Sequence, residues 1–329
     1  MVANTPKYLI GIDAGGSKTK MVIWKTEIAA QLRQNHASEK EMLQSAVWQD
    51  TFPGINLDAI DTHDAQTRLL SMLERASYAC QSSTWQFVQD CGVIMGMAGL
   101  DTQADRQRAE LWLQTVLLQL GVEQANFMLL PDVELALWSA HPQGVGVVLI
   151  AGTGSNCYGR NTQGETAKTG GLSHYFSDEG SGFMLGWEAF HAIAKMYDGR
   201  LEATALLGQV LAAYNVADFP SLKNKMVSTS DPKKFIAQAA PVVQALAAQG
   251  EPVSRVIVEQ ATQDLFEMVE TVWQQLTQSD LEIFLVGSVF KDQFYQQLLM
   301  IKLQGKGLRA QFRWIENPVV GAVQVSGQR

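Results

Sequence analysis

The stretch YLIGIDAGGSKTKMVIW, residues 8–24, decides how the rest of the chain is interpreted. Residues 8–13 and 19–24 are two mainly apolar runs, and a glycine pair lies between them. Two such runs joined by a short glycine turn predict a β-hairpin. Gly15 and Gly16 allow a sharp turn that brings backbone N–H groups close to a ligand. Successive exposed N–H groups form a concavity that suits phosphate oxygens, so the turn is a candidate phosphate site.

The same pattern returns in the second half of the chain. Residues 145–151 are apolar, GTGS follows at 152–155, and a second strand is predicted over 156–159. IDAGGS at 12–17 aligns with IAGTGS at 150–155, which predicts two similarly built domains. Two such turns could hold a polyphosphate from both sides. A plain hairpin with a glycine turn remains the alternative for each, and the chain has neither GxxxxGKS/T nor an intact GxGxxG.

The remaining periodicity favours an α/β protein. Helices are predicted over 64–79, 102–120 and 133–140, and strands over 91–97, 127–130 and 282–286. Residues 186–278 are mostly helical in pattern, with a polar break near 228–232, and residues 25–53 allow no prediction. Strands that alternate with helices indicate a largely parallel sheet. A length of 329 residues is enough for two domains.

The composition argues against several classes of binding partner. The chain is 47% hydrophobic and 18% charged, with a net charge of −8 and no long basic run, which argues against nucleic-acid binding. Cys80, Cys91 and Cys157 fit neither a metal knuckle nor a CxxC pair, as expected for reduced thiols. The N-terminus lacks an apolar signal core, and no apolar stretch reaches the roughly 18 residues of a membrane span. The sequence therefore predicts a cytoplasmic protein with no membrane partner.

Several blocks resemble a known superfamily. Residues 8–19, 149–157 and 284–291 resemble the two phosphate motifs and the adenosine motif of the sugar kinases, heat-shock ATPases and actins. GLSH at 171–174 and SDEGS at 177–181 are similar to the N-acetylglucosamine kinase branch of the BadF/BadG/BcrA/BcrD ATPase family. The blocks keep the family's order across nearly the whole chain. The resemblance implies two actin-like, ribonuclease H-like domains with an interdomain cleft: residues 1–120 joined by a C-terminal helix at about 316–329, and residues 121–315.

The resemblance also implies ATP and Mg²⁺ as cofactors. Asp13 and Asp132 would hold Mg²⁺ through water. The resemblance implies that Lys291 lies near the adenine. An ordinary solvated lysine is the alternative. The positions implied to contact the nucleotide are Asp13, Gly15, Gly16, Ser17, Lys18, Thr19, Gly152, Thr153, Gly154, Gly287 and Lys291.

On the acceptor side, Asp101 matches the family's catalytic aspartate, which would accept the proton of the attacking sugar hydroxyl. Either Asp101 or Thr102 is also a good cap for the helix that follows. The alternative for Asn56 is an ordinary turn asparagine. The alternative for Asp178 is a solvated acidic loop. The positions implied to contact the sugar are Asn56, Asp101, Ser155, Asn156, Gly171, Leu172, Ser173 and Asp178.

The activity that the resemblance implies is ATP-dependent phosphorylation of an amino sugar, with N-acetylglucosamine and its 6-hydroxyl expected. Glucosamine kinase, a partner-coupled ATPase switch and a sugar-binding regulator without activity are the alternatives. Leu172 and Ser173 stand where the family often has Trp-Gly, which would alter the shape of the sugar pocket. The resemblance further suggests a homodimer.

Overall fold

The computed structural model describes residues 6–57, 60–122, 126–277, 281–308 and 312–328. Contacts divide the chain into two compact units. The first unit is Met1–Val145 with Ile315–Arg329, and the second is Gly146–Trp314.

Strands and helices follow one another along the chain. The strands are β1 (Tyr8–Ala14), β2 (Lys18–Lys25), β3 (Trp48–Pro53), β4 (Cys91–Met97), β5 (Asn126–Pro131), β6 (Gly146–Ala151), β7 (Ser155–Arg160), β8 (Thr166–Gly170), β9 (Ile283–Val286) and β10 (Phe312–Ile315). The helices are α1 (Thr26–Gln34), α2 (Glu39–Gln44), α3 (Thr62–Ala79), α4 (Thr84–Gln89), α5 (Gln103–Gln119), α6 (Asp132–Ala140), α7 (Gly182–Tyr197), α8 (Ala205–Ala213), α9 (Phe219–Val227), α10 (Pro232–Ala237), α11 (Ala240–Ala248), α12 (Pro252–Leu276), α13 (Gln293–Gly305) and α14 (Gly321–Val325). Short 3₁₀ helices span Ser288–Lys291, Pro318–Val320 and Ser326–Gln328.

The first unit has a mixed sheet in the order β3-β2-β1-β4-β5. β1, β2 and β3 form an antiparallel meander, and β4 and β5 then continue parallel to β1. The expectation of a largely parallel sheet is therefore wrong for this half of the sheet. The turn after Ala14 is only a few residues long, and a parallel connection needs a crossover of a dozen residues or more. The boundary expected near residue 120 precedes β5, which pairs with β4 inside this unit.

Both faces of this sheet are covered. One face packs on α3 and α5 through residues such as Ile12, Leu69 and Trp112. The other face packs on α6 and on the C-terminal segment, with Trp24 and Val323 in its core. Residues 25–53, for which the sequence allowed no prediction, supply α1, α2 and β3. Ala29 of α1 and Met42 of α2 belong to the second core, where the Trp24 indole also donates to the Met42 carbonyl at 2.8 Å, whereas Phe52 of β3 belongs to the first core.

The second unit repeats the topology. Its sheet has the order β10-β9-β6-β7-β8, with β6, β7 and β8 antiparallel and β9 parallel to β6. The long helix α12 packs on β7 and β8. Counted from the first strand, each sheet follows the order third, second, first, fourth, fifth. This repeat confirms the prediction of two similarly built α/β halves of the actin type.

None of the helices in the described ranges combines enough length and hydropathy to cross a bilayer. Cys80, Cys91 and Cys157 are free thiols, and burial raises the pKa of each of them.

Gly11, in the middle of β1, lies directly against the C-terminal segment. A Cβ atom at this position would lie 2.9 Å from both Ala322 Cβ and the Val319 carbonyl oxygen, and 3.0 Å from the Trp24 ring. Only a residue without a side chain allows this contact.

We expect Gly11→Ala to lower the free energy of unfolding by about 1–3 kcal/mol, because the added methyl overpacks a buried contact. Urea unfolding followed by tryptophan fluorescence measures the loss. Gly92→Ala is the matched control in β4, since a Cβ there would meet no atom nearer than Pro6 Cγ at 3.6 Å. Equal stability of the two variants would contradict the tight packing at Gly11.

Candidate functional site

The first turn, residues 15–18, is closed by a hydrogen bond from the Gly15 N–H to the Lys18 carbonyl at 3.0 Å. Gly16, Ser17 and Lys18 are exposed, so the backbone of the turn faces solvent. The turn rests on Gly54, where a Cβ would lie 2.3 Å from the Gly16 carbonyl oxygen. The turn is therefore supported on one side and open on the other, as a phosphate site requires.

Thr19 and Asn56 have different positions relative to this turn. Thr19 is fully buried, and its hydroxyl accepts a hydrogen bond from the Ile55 N–H at 3.0 Å, so its side chain anchors residues 54–56. Asn56 is only partly buried, and a Cβ at Gly16 would lie 3.9 Å from its Nδ2. The structure thus places the Asn56 amide beside the turn.

Three carboxylates lie at one edge of the first sheet. Ala14, Met97 and Pro131 are register partners at the carboxyl ends of three parallel strands. Asp13 precedes the first of these positions, Asp132 directly follows the third, and Asp101 lies in the loop after β4. The strand register therefore brings Asp13, Asp101 and Asp132 to the same edge of the sheet, although they lie far apart in the sequence.

Asp13 and Asp132 are close enough to influence each other's charge. Burial, and next the charge of Asp132, raise the pKa of Asp13 to about 7. The positive charges of Lys18 and Lys20 lower the pKa of Asp13 by smaller amounts. Lys20 stands opposite Asp13 on β2, and its ammonium donates to the Asn317 side chain. A site with two adjacent carboxylates, one of them costly to ionise, is suited to a cation.

The cap of helix α5 is Thr102. Its hydroxyl accepts the Asp105 N–H at 3.2 Å, and the Asp105 carboxylate accepts the Thr102 N–H at 2.9 Å. This reciprocal pair is a capping box. The capping role that the sequence left open between Asp101 and Thr102 therefore belongs to Thr102. Asp101 lies one residue before the cap and is partly buried.

The second turn, residues 152–155, is held by the start of helix α7. The Gly152 N–H donates to the Gly154 carbonyl at 2.9 Å and closes the turn. The Gly182 N–H donates to the Gly152 carbonyl at 2.8 Å, and the Phe183 N–H to the Thr153 carbonyl at 3.2 Å. The carbonyl groups of the turn thus satisfy N–H groups that the first turn of a helix leaves without intrahelical partners.

Ser155 and Asp178, two of the expected sugar contacts, are buried and bonded to each other. The Ser155 N–H donates to Asp178 Oδ1 at 2.9 Å, and the Ser155 hydroxyl donates to the Glu179 carbonyl at 2.7 Å. Asp178 Oδ2 lies 2.7 Å from Lys233 Nζ. The sequence analysis missed Lys233, because the only local signal near it is a helix start at Pro232.

Gly287 and Lys291 follow β9. Gly287 has a φ of 112°, and a Cβ there would lie 2.2 Å from the Ala151 carbonyl oxygen, so this position requires glycine. The contact places Gly287 beside Gly152. Lys291 is exposed at the end of a 3₁₀ helix.

The loop at 171–173 begins beside the second turn. The Gly171 N–H donates to the Ser155 carbonyl at 3.2 Å, and Leu172 and Ser173 are exposed. Ser173 has a φ of 72°, an uncommon left-handed conformation for serine. Asn156 is partly buried, and its Oδ1 has no hydrogen-bond partner among the described residues.

Two known proteins are similar to this chain in sequence. An N-acetylmuramic acid/N-acetylglucosamine kinase of Clostridium acetobutylicum is 31% identical over 280 residues, 85% of this chain and 83% of that protein. An N-acetyl-D-glucosamine kinase of Dictyostelium discoideum is 28% identical over 192 residues, 56% of this chain and 57% of that protein.

Solved structures share the fold. The crystal structure of a provisionally named N-acetylglucosamine kinase from Chromobacterium violaceum superposes with a TM-score of 0.73. The sequence identity is 20%, and the match covers 97% of this chain and 99% of that one. The family described as BadF/BadG/BcrA/BcrD ATPase matches residues 10–325. Since the match spans nearly the whole sequence, the chain belongs to the BadF/BadG/BcrA/BcrD ATPase family.

Proposed function

We propose that this chain is an ATP-dependent amino-sugar kinase that phosphorylates N-acetylglucosamine at its 6-hydroxyl. The observation that carries the proposal is the gathering of Asp13, Asp101 and Asp132 at the sheet edge that also bears the first glycine turn. Membership of an ATPase family supports ATP as the phosphoryl donor. The names of the two relatives support an amino sugar as the acceptor.

Asp101 would act as the proton acceptor. The sugar hydroxyl oxygen attacks the γ-phosphorus, the bond from that phosphorus to the bridging oxygen of ADP breaks, and the hydroxyl proton passes to the Asp101 carboxylate. Because phosphoryl transfer depends mostly on positioning and charge neutralisation, one well-placed carboxylate is a sufficient base. Thr102 supplies the helix cap, so the Asp101 carboxylate is not needed for that role.

Asp13 and Asp132 fit a magnesium ion. Their mutual repulsion and the burial of Asp13 make a divalent cation a favourable neighbour. Mg²⁺ commonly uses one or two protein carboxylates and keeps several waters. No group of three or more His, Cys, Asp or Glu side chains forms a metal cage in the described ranges, which agrees with such a sparse site. When bound, the ion neutralises charge on the phosphate oxygens.

The remaining contacts divide between nucleotide and sugar. We assign Gly15 to Lys18 and Gly152 to Gly154 to the phosphates, because both turns expose backbone next to glycines. Asn56 would exchange hydrogen bonds with vicinal sugar hydroxyls, since its amide both donates and accepts. Gly171 to Ser173 would form a wall of the acceptor site.

We expect Asp101→Asn to lower kcat about 100-fold or more, because the amide cannot accept the proton. The measurement is ADP release with Mg²⁺-ATP in parallel reactions with N-acetylglucosamine, N-acetylmuramic acid, glucosamine, glucose or no sugar. Thr102→Ala is the matched control. It should lose about 1 kcal/mol of stability with the helix cap but keep most of its kcat.

The other outcomes identify the alternatives. ADP release that is independent of sugar would indicate a partner-coupled ATPase switch. Faster turnover with glucosamine than with N-acetylglucosamine would indicate a glucosamine kinase. An Asp101→Asn variant with wild-type kcat would remove Asp101 from the chemistry.

Asp13 makes the stability of the metal-free protein depend on pH. An ordinary aspartate titrates near 3.8, and Asp13 in the folded chain near 7. Between these values the folded chain keeps a proton that the unfolded chain has lost, so stability falls as the pH rises. Asp13→Asn abolishes this fall.

In EDTA, we therefore expect the Asp13→Asn variant to melt above the wild type at pH 8, and the difference to shrink towards pH 5. Mg²⁺ at pH 8 should raise the melting temperature of the wild type but leave that of the variant nearly unchanged. Thermal melting followed by circular dichroism measures both effects. A constant difference at both pH values would contradict the raised pKa of Asp13.

A further inference from the structure

We propose that Asn317 and Glu39 are positioning residues for the cation site. They draw the Lys20 ammonium away from Asp13 and so leave the carboxylate of Asp13 open to a magnesium ion. The inference rests on the proposed function only in taking Asp13 as a magnesium contact. It gives a role to two residues that the sequence analysis did not single out, one at the start of α2 and the other in the C-terminal segment.

The strand register places Lys20 beside Asp13. Lys20 on β2 is the direct partner of Asp13 on β1. Directly opposed residues of an antiparallel pair point to the same face of the sheet, with Cβ atoms about 4.5–5.5 Å apart, and opposite charges in this relation attract. Both residues are only partly exposed, so salt and water screen the attraction less than at an open surface. Local geometry therefore favours an ion pair between the two side chains.

The structure does not form this pair. Among the described residues, no ion pair joins Lys20 to Asp13. The Lys20 ammonium instead donates to the Asn317 side-chain oxygen, and the Asn317 side-chain nitrogen donates to a Glu39 carboxylate oxygen. An ammonium only donates and a carboxylate only accepts, so one amide between them satisfies both. These three side chains therefore form one chain of hydrogen bonds that does not include Asp13.

The electrostatic influences agree with this arrangement. Burial lowers the pKa of Lys20, and the charge of Glu39 is the largest influence that opposes it. Asp13 also raises the pKa of Lys20, but by the smallest amount of all the groups involved. In the other direction, Lys20 affects the pKa of Asp13 less than Lys18 does. The Lys20 charge therefore interacts more strongly with Glu39 than with its neighbour in the sheet.

The C-terminal segment brings Asn317 to this face of the sheet. Gly11 lies two residues before Asp13 on β1 and so shares its face. A Cβ at Gly11 would lie 2.9 Å from the Val319 carbonyl oxygen, so the segment crosses the sheet next to the cation site. Asn317 precedes the 3₁₀ helix Pro318–Val320 but does not cap it with its side chain, although asparagine favours helix starts. The amide is used for the bridge to Lys20 instead.

The bridge matters because an ammonium and a magnesium ion compete for the same carboxylate. A lysine released from the bridge would pair with Asp13, and its positive charge would oppose the incoming cation. While Asn317 and Glu39 hold the ammonium, the ion has no such competitor. The two residues thus act on the cation site through Lys20 and without contact with the ion.

The test is thermal melting of the chain at pH 8, without nucleotide or sugar, over a series of Mg²⁺ concentrations and with EDTA as the reference. The measured quantity is the Mg²⁺ concentration that gives half of the maximal rise in melting temperature. We expect Glu39→Gln/Asn317→Ala to raise this concentration about tenfold, because the released ammonium competes for Asp13. Glu39→Gln alone should raise it about threefold, because Asn317 can still accept from Lys20.

Substitution of Lys20 separates this role from a structural one. Lys20→Met added to the double variant should return the half-effect concentration to within about twofold of the wild type, because no ammonium remains to compete. A structural loss would not be repaired by a third substitution. Lys20→Met alone should respond to Mg²⁺ at least as well as the wild type. If the double variant fails to melt cooperatively in EDTA, Glu39→Gln with and without Lys20→Met provides the same comparison.

Two further variants are controls. Glu39→Gln/Asn317→Asp exchanges the amide and the carboxylate and preserves both hydrogen bonds, so the ammonium stays engaged and the Mg²⁺ response should match the wild type. Glu27→Gln removes an exposed carboxylate of α1 that is not among the charges acting on the pKa of Asp13 or Lys20. Its Mg²⁺ response should also be unchanged.

Three outcomes would overturn the inference. The first is a wild-type half-effect concentration in Glu39→Gln/Asn317→Ala, and the second is an increase that Lys20→Met does not reverse. The third is a wild-type chain that does not respond to Mg²⁺, which would also remove Asp13 from the cation site. Because sugar is absent throughout, a failure of the amino-sugar assignment leaves these results interpretable.

Discussion

Direct contact between backbone segments at the two turns is the constraint on which the rest of the structure depends. Gly54 lies against the first turn, and Gly287 against the end of β6 beside the second turn, at distances that exclude a Cβ atom. Side chains cannot intervene, so the peptide groups themselves are held in place and their open sides stay accessible. The strands, helices and cores of each unit serve to keep these two pairs of segments together.

The repeated topology carries different chemistry in its two copies. Asp13 and Asp132 flank the first turn with negative charge that suits a cation. At the second turn the corresponding strand ends at Ala151, and the nearby carboxylate of Asp178 is paired with Lys233. Under the proposed assignment, the first unit would hold the cation and the second unit would contribute backbone donors. Only a few side chains distinguish the two, whereas the hydrogen-bonded framework is shared.

The sequence predicted what depends on local pattern and missed what depends on distant contacts. Both hairpins and the buried strands were predicted because apolar runs and glycine turns are local signals. β3 was missed because its alternate residues are exposed on an edge strand. The cap of α5 could not be decided, because Asp101 and Thr102 are both good caps and only geometry separates them. The Asp178–Lys233 pair joins a loop to a helix that lies more than 50 residues away in sequence, and no local pattern links them.

The last residues of the chain complete the core of the first unit. Val319 and Ala322 cover Gly11 on the first strand, although the whole second unit lies between them in sequence. During synthesis, the first unit therefore emerges from the ribosome before residues 319–325 can complete the core that α6 and Trp24 share, while the second unit can assemble from contiguous chain. The core of the first unit is therefore completed only after the second unit has been synthesised, and the apolar side chains that residues 319–325 cover are exposed in the meantime.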